Sequence, residues 1–314
     1  MRRPTIPTAL KNRLFYESQY VCVICQNNDC VIHHIDENHS NNEEKNLVVL
    51  CLKHHGEAHT ERKLSKNLDA AALIDAKKKW VDSVYKKREL KASVSGQEQL
   101  YPDPISTPTW GYINHKRVIQ MADPNLLMDK KLQLFADCKK RNLVDESGFI
   151  ITPKPASPPS NSYTGNSIYD LFAFGDDHRL HALYSAFVDQ ISARNKPWHL
   201  EPKIWSPTQI RSLIKPGTLL FAERGFYFKG ITRTKTNEHR KAFTFKGKIA
   251  IEFFVDTKDM FGTTSMTVSF SGHQSCAALI LVKSIADSDS KGRLILHCTP
   301  LALGVGFASY REIS

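Results

Sequence analysis

Cys22-x2-Cys25 and Cys51-x2-His54 lie roughly 25 residues apart near the start of the chain. Two knuckles so spaced can close a tetrahedral zinc site from three thiolates and one imidazole. In a reducing compartment, cysteines clustered beside histidines speak for metal rather than disulfides. Cys30 falls outside both knuckles and is expected as a small core residue. A second set lies between and beyond the knuckles. His55 and His59 are spaced i, i+4, so on a helix they share one face and could hold a metal ion. His33 can supply the third ligand. His34, its neighbour, would then be left to act as a base. Adjacent strand residues point to opposite faces, so a bend or bulge at the pair is expected, to bring both imidazoles near one site.

The elements that must position these groups are legible around them. Residues 7–19, "PTALKNRLFYESQ", have helical apolar spacing with a proline near the start. "CVIHHI" and "LVVLC" read as strands separated by the polar loop "DENHSNNEEKN", and "LKHHGEAHTERK" begins a helix. A longer helix is expected from Asn67 to Lys91. Its apolar stripe of Leu73, Ile74, Trp80, Val81, Val84 and Tyr85 would pack on the metal module. Lys77, Lys78, Lys79, Lys86, Lys87 and Arg88 would form a solvated face.

The pattern "CVIC…HHIDE…NLVVLCLKHHGEAH" resembles the zinc-containing HNH endonucleases, the ββα-metal fold, over residues 10–62. The resemblance matches His34 to the family's first histidine, Asn46 to its asparagine and His55 to its last histidine. His33 before the motif and His55-x3-His59 resemble the colicin-type arrangement. The second knuckle is Cys-x2-His where zinc-bearing members usually have Cys-x2-Cys. His54 is therefore assigned to the zinc by parity with the first knuckle, with His55 the alternative. The resemblance implies phosphodiester hydrolysis with 5′ phosphate and 3′ hydroxyl products. It also implies one catalytic divalent ion, Mg²⁺ or Mn²⁺, on His33, His55 and His59, with zinc as the structural ion. An imidazole, whose ordinary pKa is near ~6.5, suits His34 as the general base. Asn46 would hold the turn that carries His34. Asp36, Glu37 and His39 are expected in a solvated loop, not as ligands.

The Ser/Pro/Gly-rich residues 93–109 read as a linker. The expected organisation is α+β: an HNH nuclease domain with structural zinc over 1–92, then a separate domain over 110–314 with an internal loop at 152–167. That second domain contains an amphipathic helix at 179–195 and is rich in antiparallel strands after Pro216. One hairpin is expected to turn at Glu223 to Gly225. The chain carries a net charge of +11. Residues 1–100 hold 16 Lys and Arg against 13 Asp and Glu, leaving +8 on the remainder. A polyanionic partner fits this balance, as does a basic surface that serves solubility. No apolar run approaches the ~18 residues of a membrane span, and the opening residues lack a secretory core, so a cytoplasmic protein is expected. These features together suggest an endonuclease acting on double-stranded DNA, in a bacterial defence or restriction-type role. Its second domain would read DNA, sense a nucleotide or dock a protein partner. The alternative is a non-catalytic zinc module that binds nucleic acid within a larger complex.

Overall fold

β2, Leu47–Cys51, is buried along its whole length, and its alternating side chains feed two separate clusters. Leu47 and Val49 meet Leu14 of helix α1, Thr8–Glu17. Val48 and Leu50 face the other way, toward Cys22, Val23 and Leu73. A strand covered on both faces reads as a continuous apolar run, as this one does. The computed structural model describes residues 4–60, 68–92, 110–152, 168–172, 175–200, 206–233, 238–256, 261, 270–287, 289 and 291–305. The expected linker at 93–109 lies outside the described residues, as does nearly all of the expected loop at 152–167. The molecule is of mixed α+β class and divides into two compact units, Met1–Arg88 with Ser206–Ile214, and Glu89–Trp205 with Lys215–Ser314.

In the first unit, β1, Cys30–His34, pairs antiparallel with β2 in unbroken register from Cys30↔Cys51 to His34↔Leu47. Helix α2, Leu52–Ala58, follows directly, giving a ββα unit. Helix α3, Ala70–Ala92, packs through Leu73 and Val84, both about fully buried. It is also pinned by polar contacts. Trp80 Nε1 donates to Ser18 O, and the buried Arg88 donates to Tyr16 O with its guanidinium 3.7 Å from the Tyr16 ring centroid. Lys77 Nζ donates to Glu44 O. Two members of the expected solvated face, Lys77 and Arg88, are thus anchors, because main-chain carbonyls at the end of α1 and in the β1–β2 loop need donors. Ile74, expected in the apolar stripe, is 53% exposed.

The second unit begins with β3, Tyr112–Ile113. Helices α4, His115–Met121, α5, Asp129–Lys140, α6, Ile168–Leu171, and α7, Asp176–Asn195, follow. β4 is Trp198–His199. The next helix, α8, Pro207–Leu213, belongs to the first unit. The expected second domain, 110–314, includes this segment, whereas contacts group it with the first unit. The second unit then continues with β5, Leu219–Arg233, β6, Glu238–Lys246, β7, Ile249–Asp256, β8, Gly272–Ala286, and β9, Leu294–Val305. β5 pairs β6, β6 pairs β7, β7 runs parallel to β9, and β8 pairs both β9 and β5. The five strands therefore close into a barrel, filled by residues such as Phe226, Phe228, Phe253 and Phe270. The helices cover the other side of the β5–β8–β9 wall through Leu180, Tyr184 and Phe187.

The hairpin expected at Glu223 to Gly225 is absent: β5 pairs β8 continuously from Leu219 to Phe228. Gly225 answers a different need. A Cβ there would lie 2.5 Å from the His273 ring, so the glycine admits a close-packed imidazole rather than a turn. The turn lies at Gly247, whose φ of +56° joins β6 to β7. Among the described residues, no helix is long and apolar enough to cross a membrane.

Candidate metal centres

Cys22, Cys25, Cys51 and His54 bring one ligand atom each to a common centre, every pair within 4.8 Å. The first two come from the turn after α1, Cys51 ends β2, and His54 lies in the first turn of α2. Measured edges are 3.5 Å from Cys22 Sγ to His54 Nδ1, 3.2 Å from Cys51 Sγ to His54 Nδ1, and 3.7 Å from Cys25 Sγ to Cys51 Sγ. A tetrahedron with zinc–sulfur bonds of ~2.3 Å and zinc–nitrogen bonds of ~2.0 Å has edges of about 3.8 and 3.5 Å. The four donors therefore fit a zinc ion, and Nδ1 is the ligand atom of His54. Its Nε2 faces Glu57 Oε2 at 3.7 Å, the kind of carboxylate that favours the Nε2–H tautomer behind a ligating nitrogen. Burial pushes the Cys25 thiol up. At Cys51 burial acts the same way, but hydrogen bonds from the His54 backbone and side chain outweigh it and bring the thiol down to about 7. Cys30 stands outside this set. Its thiol donates to Asn27 O, and burial raises it to about 11.

The second centre is made of imidazoles. His33, His55 and His59 also bring one nitrogen each within 4.8 Å of the others, with ring centroids 4.8 to 5.2 Å apart. His33 projects from β1, while His55 in α2 and His59 at its C-terminal cap lie one turn apart. Burial, then the neighbouring imidazoles His59 and His55, push His33 down to about 4. His55 is lowered by burial and by His59 and His39. Neutral imidazoles keep the lone pairs that metal binding needs. The donor set fits a divalent ion. His59 Nδ1 stands 3.6 Å from Glu37 Oε1. The choice left open between His54 and His55 is resolved by position: His54 joins the thiols and His55 joins the histidines.

His34 is 8% exposed and belongs to neither set. The expected bend or bulge is not present, because the β1–β2 register is continuous through both histidines. His34 is the last residue of β1 and turns toward the following loop. Its ring meets His39 edge-on at 5.3 Å, and its Nε2 lies 3.2 Å from Asn42 Oδ1. An amide oxygen only accepts, so in this contact Nε2 is the donor. Asn46 closes the loop behind it. Asn46 Oδ1 accepts from Asp36 N at 3.0 Å, and Nδ2 donates to Asp36 Oδ1 at 2.7 Å and to Asn41 O at 3.0 Å.

Four more residues flank these centres: Glu57 and Asn42, which the sequence does not single out, and Glu37 and His39, expected only in a solvated loop. Glu57 was legible in principle, three positions after His54 on a helix. The other three depend on the loop's course, including a left-handed Glu37 with φ +58°, which no periodicity announces. Comparison with protein-family models, curated proteins and solved structures finds no match to this chain. What stands is a class of site: two candidate metal centres, one thiolate-rich and one all-imidazole, built on a single ββα unit.

Proposed function

We propose that this protein is a metal-dependent DNA endonuclease of the HNH class, acting on double-stranded DNA. The observation that carries the reading is the separation of roles within one short unit. Three imidazoles converge on one point, and a fourth, His34, stays outside them with its Nε2 against Asn42 Oδ1. An ion held by His33, His55 and His59 would supply Lewis-acid stabilisation of charge at the phosphorus and at the departing oxygen. His34 Nδ1 accepts a proton from the attacking water. The new P–O bond leaves a 5′ phosphate, and the broken P–O3′ bond leaves a 3′ hydroxyl after the departing oxygen takes a proton. Asn46 acts through the loop it closes and holds His34 in place. The zinc on Cys22, Cys25, Cys51 and His54 is structural. All-imidazole ligation favours first-row transition ions over Mg²⁺. The second unit directs the nuclease, by reading DNA or a nucleotide signal, in keeping with a defence or restriction-type role.

The test is plasmid cleavage by purified protein with Mg²⁺ or Mn²⁺, wild type beside His34→Ala. Loss of a general base costs about 10²–10⁴ in rate, while zinc content and thermal melting should stay at wild-type levels. A variant keeping more than half of wild-type cleavage removes His34 from the role. A wild type inert on plasmid, phage and single-stranded DNA would favour the non-catalytic zinc module.

A further inference from the structure

The outer face of the β5–β6–β7 wall is unlike a solvated sheet surface. Inward positions Phe226, Phe228, Ala242 and Phe253 fill the barrel, and the alternate positions point out. Those outward positions carry Tyr227, Phe243, Phe245 and Phe254. Tyr227, Phe245 and Phe254 are 44%, 56% and 55% exposed, whereas among the described residues the only other exposed aromatic of this size is Phe149, at 38%. Clustered exposed rings mark a binding surface more often than chance placement does. The charge on the same ribbon is one-sided. Residues 219–256, the span of the three strands, hold eight Lys and Arg against three Glu and one Asp, a net of +4 out of the chain's +11.

The rings border a cleft of about 440 Å³ lined by Arg224, Tyr227, Phe243, Phe245 and His273. Tyr227 and Phe243 stand 5.3 Å apart across the strand pair. Arg224 is fixed at the wall, with Nε donating to Thr244 Oγ1 at 2.9 Å and Nη2 to Phe245 O at 3.2 Å. His273 lies over Gly225, in the space a Cβ would occupy. The Arg293 guanidinium sits 4.9 Å from the Phe245 ring centroid. Two carboxylates of this region are paired locally with cations, Glu252 with Lys241 and Asp289 with Arg293. Glu223 and Asp256 lie at the edges of the face.

We propose that this barrel face binds single-stranded nucleic acid, with a base stacked in the Tyr227–Phe243–Phe245 cleft and the backbone phosphates on the ribbon's lysines. Stacked duplex bases present only their edges, so exposed ring faces can pair only with unstacked bases. Protein interfaces also enrich aromatic rings and arginine but deplete lysine, and the lysines Lys229, Lys241, Lys246 and Lys248 on this ribbon instead match a phosphate chain. The proposal rests on the second unit alone and is independent of whether the first unit cleaves DNA.

The experiment uses the full-length protein without added divalent ions. Fluorescence anisotropy follows a fluorescein-labelled 12-nucleotide DNA of mixed sequence, as a single strand and as its duplex, at several salt concentrations. The single strand should bind more tightly than the duplex. Tyr227→Ala and Phe245→Ala should each weaken single-strand binding by about 5- to 100-fold, and Phe245→Tyr should restore it. Lys229→Ala should lower the slope of log K against log salt by about 0.7. Thermal melts check that each variant is folded; the rings are exposed, and two independent ring positions keep the test decisive. Tighter duplex binding, ring variants that bind like wild type, or no binding to either strand would each overturn the proposal. The last result would leave the face to a protein partner.

Discussion

A proton on any one imidazole of the His33, His55 and His59 trio repels a proton on the others, and His33 is buried as well. In the folded chain His33 accepts a proton only near pH 4, against about 6.5 in an unfolded chain. Between those values the unfolded state binds more protons, so folding stability rises with pH there and is lost as the pH falls from about 6.5 toward 4. Without added divalent ions, the melting temperature should therefore drop on acidification through that window and be flat above it from this source. His33→Gln, which cannot take the proton, should lose part of the slope. Melts of the two proteins at matched pH values check this. Parallel curves would show that the histidine cluster does not resist protonation. The same preference for neutral imidazoles keeps the cluster ready for a metal near neutral pH.

The loop from Asp36 to Asn46 is held by two side chains, Asp36 and Asn46, with three hydrogen bonds each. Asn46 both accepts and donates within it and is 7% exposed. Asn46→Ala removes three hydrogen bonds and should cost about 2–4 kcal/mol at ~1 kcal/mol each. Asn46→Asp keeps the shape but sets a carboxylate against Asp36 where an amide now donates, so it should be the worse of the two. Denaturant melts decide the order, and an Asp variant more stable than the Ala variant would refute this account of the loop. Much at this scale was readable. β1, β2, α2 and the ligand spacings follow from patterns of two and of three to four residues. What periodicity missed came from the chain's own carbonyls and from packing across strands. Arg88 and Lys77 look solvated in the sequence, yet backbone acceptors outside α3 recruit them. Gly225 looks like a turn residue, yet the imidazole of a strand 48 positions away in sequence requires it. The barrel's closure through the parallel β7–β9 pair is likewise a property of pairing between distant strands, on which local alternation is silent.

At the scale of the whole chain, the first unit is not contiguous. The residues before β5 return as α8 to lie against α1. Asn12 Nδ2 donates to Ser212 Oγ at 2.8 Å, and Gln209 Nε2 reaches Tyr20 OH at 3.4 Å. Ile210 and Ile214 are each 1% exposed. A fragment ending at residue 92 holds every candidate metal ligand but leaves the α1 surface without α8. A unit this small buries a limited core, so the zinc carries a large share of its stability. We expect the fragment to bind about one zinc and to melt well below the corresponding transition of the full chain. The same loss can be produced without truncation. Ile210→Ala in the full-length protein should destabilise the first unit by about 2–5 kcal/mol, the range for emptying a buried aliphatic site. Paired calorimetric scans of wild type, Ile210→Ala and the fragment check the argument, with zinc content measured on each. If the fragment melts as high as the first transition of the full chain, α8 adds nothing to the unit, and the metal centres stand on residues 1–92 alone. If the fragment and Ile210→Ala both fall, a segment more than a hundred residues beyond the ligands helps to hold the frame that places His33, His34, His55 and His59.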